Sequence, residues 1–139
     1  MAKAVLSERM KKWLEGLGGH IATASKDGIP EVIVVDNAKI EGDRVIKFHL
    51  SGRQAALIKN NVETNPHIAL GPAGIGSIRA AYQFKGDGRL DGTDLTVTVD
   101  EIYCTKPGPE AGLRLDVLPP EAVTQFEKSR WKDNGPPRL

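Results

Sequence analysis

Apolar residues along this chain change their spacing from segment to segment, and the changes mark out its elements. From Ser7, Met10, Trp13 and Leu17 fall on one helical face, with Leu6 just ahead and Gly18-Gly19 as a stop, so a helix is predicted over 7–17. Residues 21–25, the bend Lys26-Asp27-Gly28-Ile29-Pro30 and residues 31–35 then read as a β-hairpin. Val32 to Val35 are apolar at every position, which predicts a strand covered on both faces, by a helix or by another subunit. A turn at Glu41-Gly42-Asp43 precedes a strand over 44–50, and Ala55, Ile58 and Val62 mark a helix from 53 to 61, closed by Asn65-Pro66.

Further on, 67–70 reads as a short strand and 71–76 as a loop rich in Gly and Pro. Residues 80–90 and 94–104 form a long antiparallel pair around Asp91-Gly92-Thr93-Asp94. Thr96-Val97-Thr98-Val99 alternates, which predicts one face toward a core and one toward water. After Lys106-Pro107-Gly108-Pro109, residues 114–118 are expected as a last short strand. Pro119-Pro120-Glu121 opens a C-terminal helix, about 120–132, bearing Val123, Phe126 and Trp131. Gly135-Pro136-Pro137 ends in a loose tail. Some six antiparallel strands broken by one helix place the chain in the mainly β (α+β) class, as a small split antiparallel β-barrel over about 20–118 with flanking helices.

Composition narrows the function. The chain has 139 residues, 40% of them hydrophobic, which suits one domain with its own core, 1–139. Nineteen basic and eighteen acidic residues leave a formal charge of +1, so no overall field points to nucleic acid or to a membrane surface, and anion recognition has to be local. The lone Cys104 makes no internal disulfide, and the opening residues lack a long apolar stretch. A cytoplasmic protein is expected.

The best local candidate is Ser51-Gly52-Arg53-Gln54, directly after the strand over 44–50. Ser51 and Gln54 have capping-box spacing, Gly52 leaves room for a ligand near the backbone, and Arg53 offers a fork of donors at the positive end of a helix. Together they form a cradle for a phosphorylated small molecule. The alternative is an ordinary capped helix with a solvated arginine. His20, His49 and His67 lack metal-site spacing, although His49 immediately precedes the cradle. Cys104 is expected to be a small buried residue, and Trp13 and Trp131 core or interface anchors, or covers for a bound ring. The loop over 71–79 lacks the Gly-Lys-Ser/Thr ending of a phosphate loop.

The order Ile21-Ala22-Thr23-Ala24-Ser25-Lys26-Asp27-Gly28-Ile29-Pro30, then Val32 to Lys39, Ser51 to Asn61, Asn65-Pro66 and Ile68-Ala69-Leu70 resembles the pyridoxamine 5'-phosphate oxidase-like flavin-binding proteins. Tyr82-Gln83-Phe84-Lys85-Gly86 and Val99-Asp100-Glu101-Ile102-Tyr103 extend the resemblance across about residues 20–105. It implies a split barrel, a homodimer and FMN held at the subunit interface. The FMN phosphate would lie on Lys47, His49, Ser51, Gly52, Arg53 and Gln54, and the ring against the strand carrying Val34, Val35, Asp36 and Asn37. By composition alone, Asp36 and Asn37 equally fit a strand end or bulge. The chain departs from the family in having only Arg53 at the helix start, with Lys47 and Lys59 as helpers. It also lacks the basic and aromatic C-terminal residues of the longer vitamin oxidases.

Three functions follow from these readings. The first is an FMN-dependent oxidoreductase or electron carrier with a small-molecule or redox-protein donor and acceptor. The second is a non-catalytic flavin-binding or storage module, and the third a cofactor-free barrel dimer. A deazaflavin or haem is the alternative guest.

Overall fold

The protein is described by a computed structural model covering residues 4–36, 38–72, 82–106 and 108–130. Trp131, the tail after it, and most of the loop over 71–79 lie outside the described residues. Ser7 starts helix α1 (Glu8–Leu17): its hydroxyl accepts from the Met10 N–H at 3.2 Å, while the Met10 sulfur accepts from the Ser7 N–H. Met10, Trp13, Leu14 and Leu17 are all buried, the face that the helical spacing predicts. Gly18 stops the helix, donating its N–H to the Leu14 carbonyl at 3.0 Å with φ at +68°.

Among the described residues seven strands follow: β1 (Gly19–Ala24), β2 (Pro30–Val35), β3 (Lys39–Glu41), β4 (Val45–His49), β5 (His67–Pro72), β6 (Tyr82–Asp91) and β7 (Asp94–Cys104). Helix α2 (Gly52–Thr64) sits between β4 and β5, and α3 (Pro120–Arg130) ends the described chain. All the pairings are antiparallel, in the order β2-β1-β5-β6-β7-β4-β3. The two edge strands, β2 and β3, are neighbours in sequence, joined only by residues 36–38. Four peptide steps span at most about 14 Å, so the sheet has to curl until its edges face each other. That geometry is the mainly β split barrel expected from the sequence.

Inside the barrel lie Ile21, Ile46, Phe84, Leu95, Val97 and Val99, each fully buried. Helix α2 packs Ala55, Ile58 and Val62 against this core. Asn61 Nδ2 also donates to the Thr23 hydroxyl on β1 at 3.1 Å. Cys104 is buried on β7 opposite Tyr82, as expected.

One expectation narrows, with another subunit left as the cover for the outer face of β2, and one changes. β2 alternates within this chain: Ile33 and Val35 are buried, but Val32 and Val34 are 56% and 55% exposed. The continuous apolar run therefore marks an outer face that no element of the described chain covers. Residues 114–118 do not form a strand either, because only Arg114 bridges to Tyr103 before the chain turns. The Leu115 N–H still reaches the Ile102 carbonyl at 2.8 Å, but the Ile102 N–H is taken at 2.9 Å by the Asp116 carboxylate, which ends the ladder. The short β3 is a strand that the sequence pattern did not reveal.

Asp116 also receives Arg114 through Nε at 3.2 Å and a second guanidinium nitrogen at 2.6 Å. Burial pushes the Asp116 carboxyl up, but the Arg114 hydrogen bonds, the Ile102 N–H and the guanidinium charge outweigh it and hold the group below the usual carboxylate range. A folded pKa below the unfolded value gives stability that is present above the unfolded pKa, about 3.9. That stability disappears as the pH falls through the folded value. Asp116→Asn is thus expected to lower the melting temperature near neutral pH and to have little effect near pH 2. Melts of both proteins across this range check it, and a pH-independent difference would count against the carboxylate's role.

Candidate functional site

Helix α2 begins as its spacing predicts. The Ser51 hydroxyl accepts from the Gln54 N–H at 3.1 Å, and Gln54 Oε1 accepts from the Ser51 N–H at 3.2 Å. Gln54 also reaches across to the sheet, where its Nε2 donates to the Val34 carbonyl at 2.6 Å and joins the helix start to the free edge of β2. The N–H and C=O of a strand residue point the same way, so the Val34 N–H also faces the gap between β2 and α2. A Cβ placed at Gly52 would meet no atom within 4 Å, so the fold itself does not demand glycine there. What Gly52 leaves clear is the space before the first N–H groups of the helix. Arg53 is exposed and makes no hydrogen bond or ion pair among the described residues.

The structure therefore brings Val34, Ser51, Gly52, Arg53 and Gln54 together. Val35 faces the core at 5% exposure, Asp36 is exposed at the strand end, and Asn37 lies outside the described residues. Lys47 and His49 point outward from β4, where each already has an acidic partner. Lys47 Nζ is 2.6 Å from Glu41, and His49 Nδ1 is 2.9 Å from Asp94. The Lys47 hydrogen bond and charge hold the Glu41 carboxyl below its usual range. Lys47 and His49 line a groove of about 380 Å³ with Lys39 and Arg89.

A second groove, of about 580 Å³, lies on the outer face of β1, β5 and β6, and the sequence alone gave no sign of it. The strand registers set Val32, Ala22, Ala69, Lys85 and Glu101 side by side across five strands. The surface dips there because Ala22, Ala24 and Ala69 are short, while Val32 at one end of the row and Lys85 and Glu101 at the other are longer. The pairing slips by one residue at Lys85/Gly86, leaving Asp100 as the extra residue of a β-bulge. A Cβ at Gly86 would overlap the Thr98 carbonyl, so the bulge depends on glycine. His67, at one end of the groove, is held by Asp87 with Nδ1 to oxygen at 3.0 Å. Only an alternation of small residues on two non-adjacent segments could have signalled this groove, and that pattern emerges only once the register is known.

Among the described residues no three His, Cys, Asp or Glu side chains gather to hold a metal, and no helix is long and apolar enough to cross a membrane.

No family model matches the chain. It is 31% identical over 130 residues to MJ0282, an uncharacterised protein of Methanocaldococcus jannaschii, an alignment covering 77% of this chain and 85% of MJ0282. Among solved structures it is similar to HupZ of Group A Streptococcus, with TM-score 0.60, 16% identity, and 77% and 99% of the two chains covered. A Lactobacillus delbrueckii protein ascribed to pyridoxamine 5'-phosphate oxidase superposes with TM-score 0.59, 14% identity and 72% and 94% coverage. An FMN-binding protein of Syntrophomonas wolfei gives 0.57, 10%, and 69% and 83%. The chain thus belongs to one family with MJ0282, built on the pyridoxamine 5'-phosphate oxidase-like split-barrel fold.

Proposed function

We propose that this protein binds FMN, with the phosphate at the start of α2 and the ring against the open edge of β2, and serves as a flavin-dependent oxidoreductase or electron carrier. One observation carries the reading: Gln54 ties the helix start to the Val34 carbonyl, so the backbone donors proposed for the phosphate and the strand edge proposed for the flavin's polar rim are held next to each other. The chemistry of the residues fits the group. Gly52 and Arg53 present donors at a helix N-terminus, and the exposed Val32 and Val34 give apolar surface beside them. The fold shared with an FMN-binding protein supports the same guest. Bound FMN would supply hydride or electron transfer. The chain's own part is to orient the group through Val34, Asp36 and Gln54 and to neutralise the phosphate with Arg53, with Lys47 and His49 on the adjoining face. Asn37 is proposed on the ring side with Asp36.

The exposed apolar residues Val32, Val34 and Leu57, each more than half exposed, favour a homodimer that covers this surface. Light scattering at micromolar concentration tests it, and a monomer would count against the interface.

The first experiment is a visible spectrum of the purified protein, followed by FMN titration with fluorescence quenching. Arg53→Ala is expected to weaken FMN at least about tenfold, because a charge-assisted hydrogen bond is worth about 1.5–3 kcal/mol. An unchanged dissociation constant would remove Arg53 from the site. Turnover with a reduced nicotinamide separates an oxidoreductase from a storage module.

A further inference from the structure

We infer that the groove over β1, β5 and β6 is a second ligand site, taking a flat aromatic molecule that carries an acidic substituent. The volume of about 580 Å³ lies within the range of small-molecule sites. Its floor is made by Ala22, Ala24 and Ala69, with the longer His67 at one end. Alanine is depleted in strands, and its short side chain allows a planar ring to approach the sheet closely. A flat apolar surface of this kind fits the face of an aromatic ring better than a flexible chain.

The charges at the rim decide the substituent. Asp100 has Arg44 at 3.4 Å, Glu101 has Arg114 at 3.7 Å, and His67 has Asp87 at 3.0 Å. Among the described residues Lys85 is the one charged residue lining the groove that is in no ion pair, its cross-strand neighbour Glu101 being engaged by Arg114. The Lys85 ammonium rests 4.8 Å from the centre of the Tyr103 ring. The Tyr103 ring is itself flanked by the Arg114 guanidinium at 5.7 Å, and its hydroxyl donates to Glu101 at 3.2 Å. These contacts hold the ring at the rim and leave the Lys85 N–H donors available to an acceptor in the groove. Charge complementarity therefore selects a carboxylate, or another anionic group, on the ligand. His67, fixed through Nδ1 by Asp87, adds a second polar contact at the other end.

Val32 on β2 is the cross-strand partner of Ala22, so the groove starts one strand from where the proposed flavin ring would rest. The two sites would then bring a reactant close to the ring. The ligand class rests on the groove alone and stands or falls independently of FMN.

The test is a fluorescence titration of the full chain with 2-naphthoate and with 2-naphthylmethanol, its uncharged counterpart. Saturable binding of 2-naphthoate is expected. Lys85→Met should weaken the acid about tenfold or more and leave the alcohol within about twofold, the loss of one charge-assisted hydrogen bond. Ala69→Leu, which fills the floor, should weaken both probes, while Arg53→Ala should change neither. Circular dichroism checks that both groove variants fold. Non-saturable binding, or naphthoate binding that survives both groove variants, overturns the inference. So does loss of a dimer in Ala69→Leu with naphthoate affinity unchanged, which would assign the groove to a second copy of the chain. Failure of FMN to bind, with the naphthoate results intact, would overturn only the cofactor reading.

Discussion

Gly18→Ala is expected to cost about 4 kcal/mol of stability and to lower the melting temperature by roughly 10 °C or more. Two penalties combine at this position. Gly18 has φ +68° and ψ −146°, a region only glycine occupies readily, and a Cβ there would overlap the backbone of Val35 and Asp36. The end of α1 and the end of β2 are in backbone contact at this point, so neither side can yield by rotating a side chain. Gly42→Ala separates the two effects. Its φ is +64°, but a Cβ there meets nothing within 4 Å, so only the strain of about 1 kcal/mol remains. Equal losses in the two variants, measured by thermal melts followed by circular dichroism, would refute the close approach. Because the displaced atoms belong to Val35 and Asp36, Gly18→Ala should also disturb whatever binds along β2.

Glu127→Ala has the next largest expected effect, about 3–5 kcal/mol, because it breaks a buried polar network with a charged member. Among the described side chains of α3, Val123 and Glu127 are buried and Phe126 packs partly buried against the core. One oxygen of the Glu127 carboxylate accepts from the Ser7 hydroxyl at 2.6 Å and from the Tyr82 hydroxyl in a short hydrogen bond. Arg9 donates to the same tyrosine oxygen at 2.7 Å, and its guanidinium lies over the rings of Trp13 and Tyr82 at 5.3 and 5.2 Å. Burial, then the Glu127 charge, pushes the Tyr82 hydroxyl far above its ordinary pKa, so it remains a donor at all ordinary pH. Removing the carboxylate takes away the acceptor that the Ser7 and Tyr82 hydroxyls share. Tyr82→Phe, which removes one donor and keeps the carboxylate bonded to Ser7, is expected to cost less, about 1–2 kcal/mol. A Glu127→Ala loss no larger than that of the exposed Glu121→Ala would refute the network.

Much of the local architecture was legible in the sequence, for physical reasons. The capping box at Ser51 and Gln54, the stop at Gly18 and the alternation of Thr96 to Val99 are set by backbone donors and by burial within a few residues. Partners distant in sequence were not legible. The bond from Gln54 to the sheet depends on Val34, 20 residues away, and the acidic partners of Lys47 and His49 depend on strand register. Asp116 ends a ladder that apolar spacing alone would have continued, because its carboxylate competes with a backbone carbonyl for the Ile102 N–H. The alanine-floored groove has no sequence signature, because its row is assembled from five strands.

The bond between Ser7 and Glu127 joins residues 120 positions apart, whereas β6 and β7 meet across a tight turn at Gly92. Contacts of such different span are made at different times, because loop closure has to precede the distant one. The β6–β7 hairpin is therefore expected to be structured in the folding transition state, and the clasp between the two ends of the chain to close after it. A contact made after the barrier leaves the folding rate almost untouched and appears in the unfolding rate. The clasp is thus a brake on unfolding: it sets how long a folded molecule lasts, while the hairpin sets how quickly one forms.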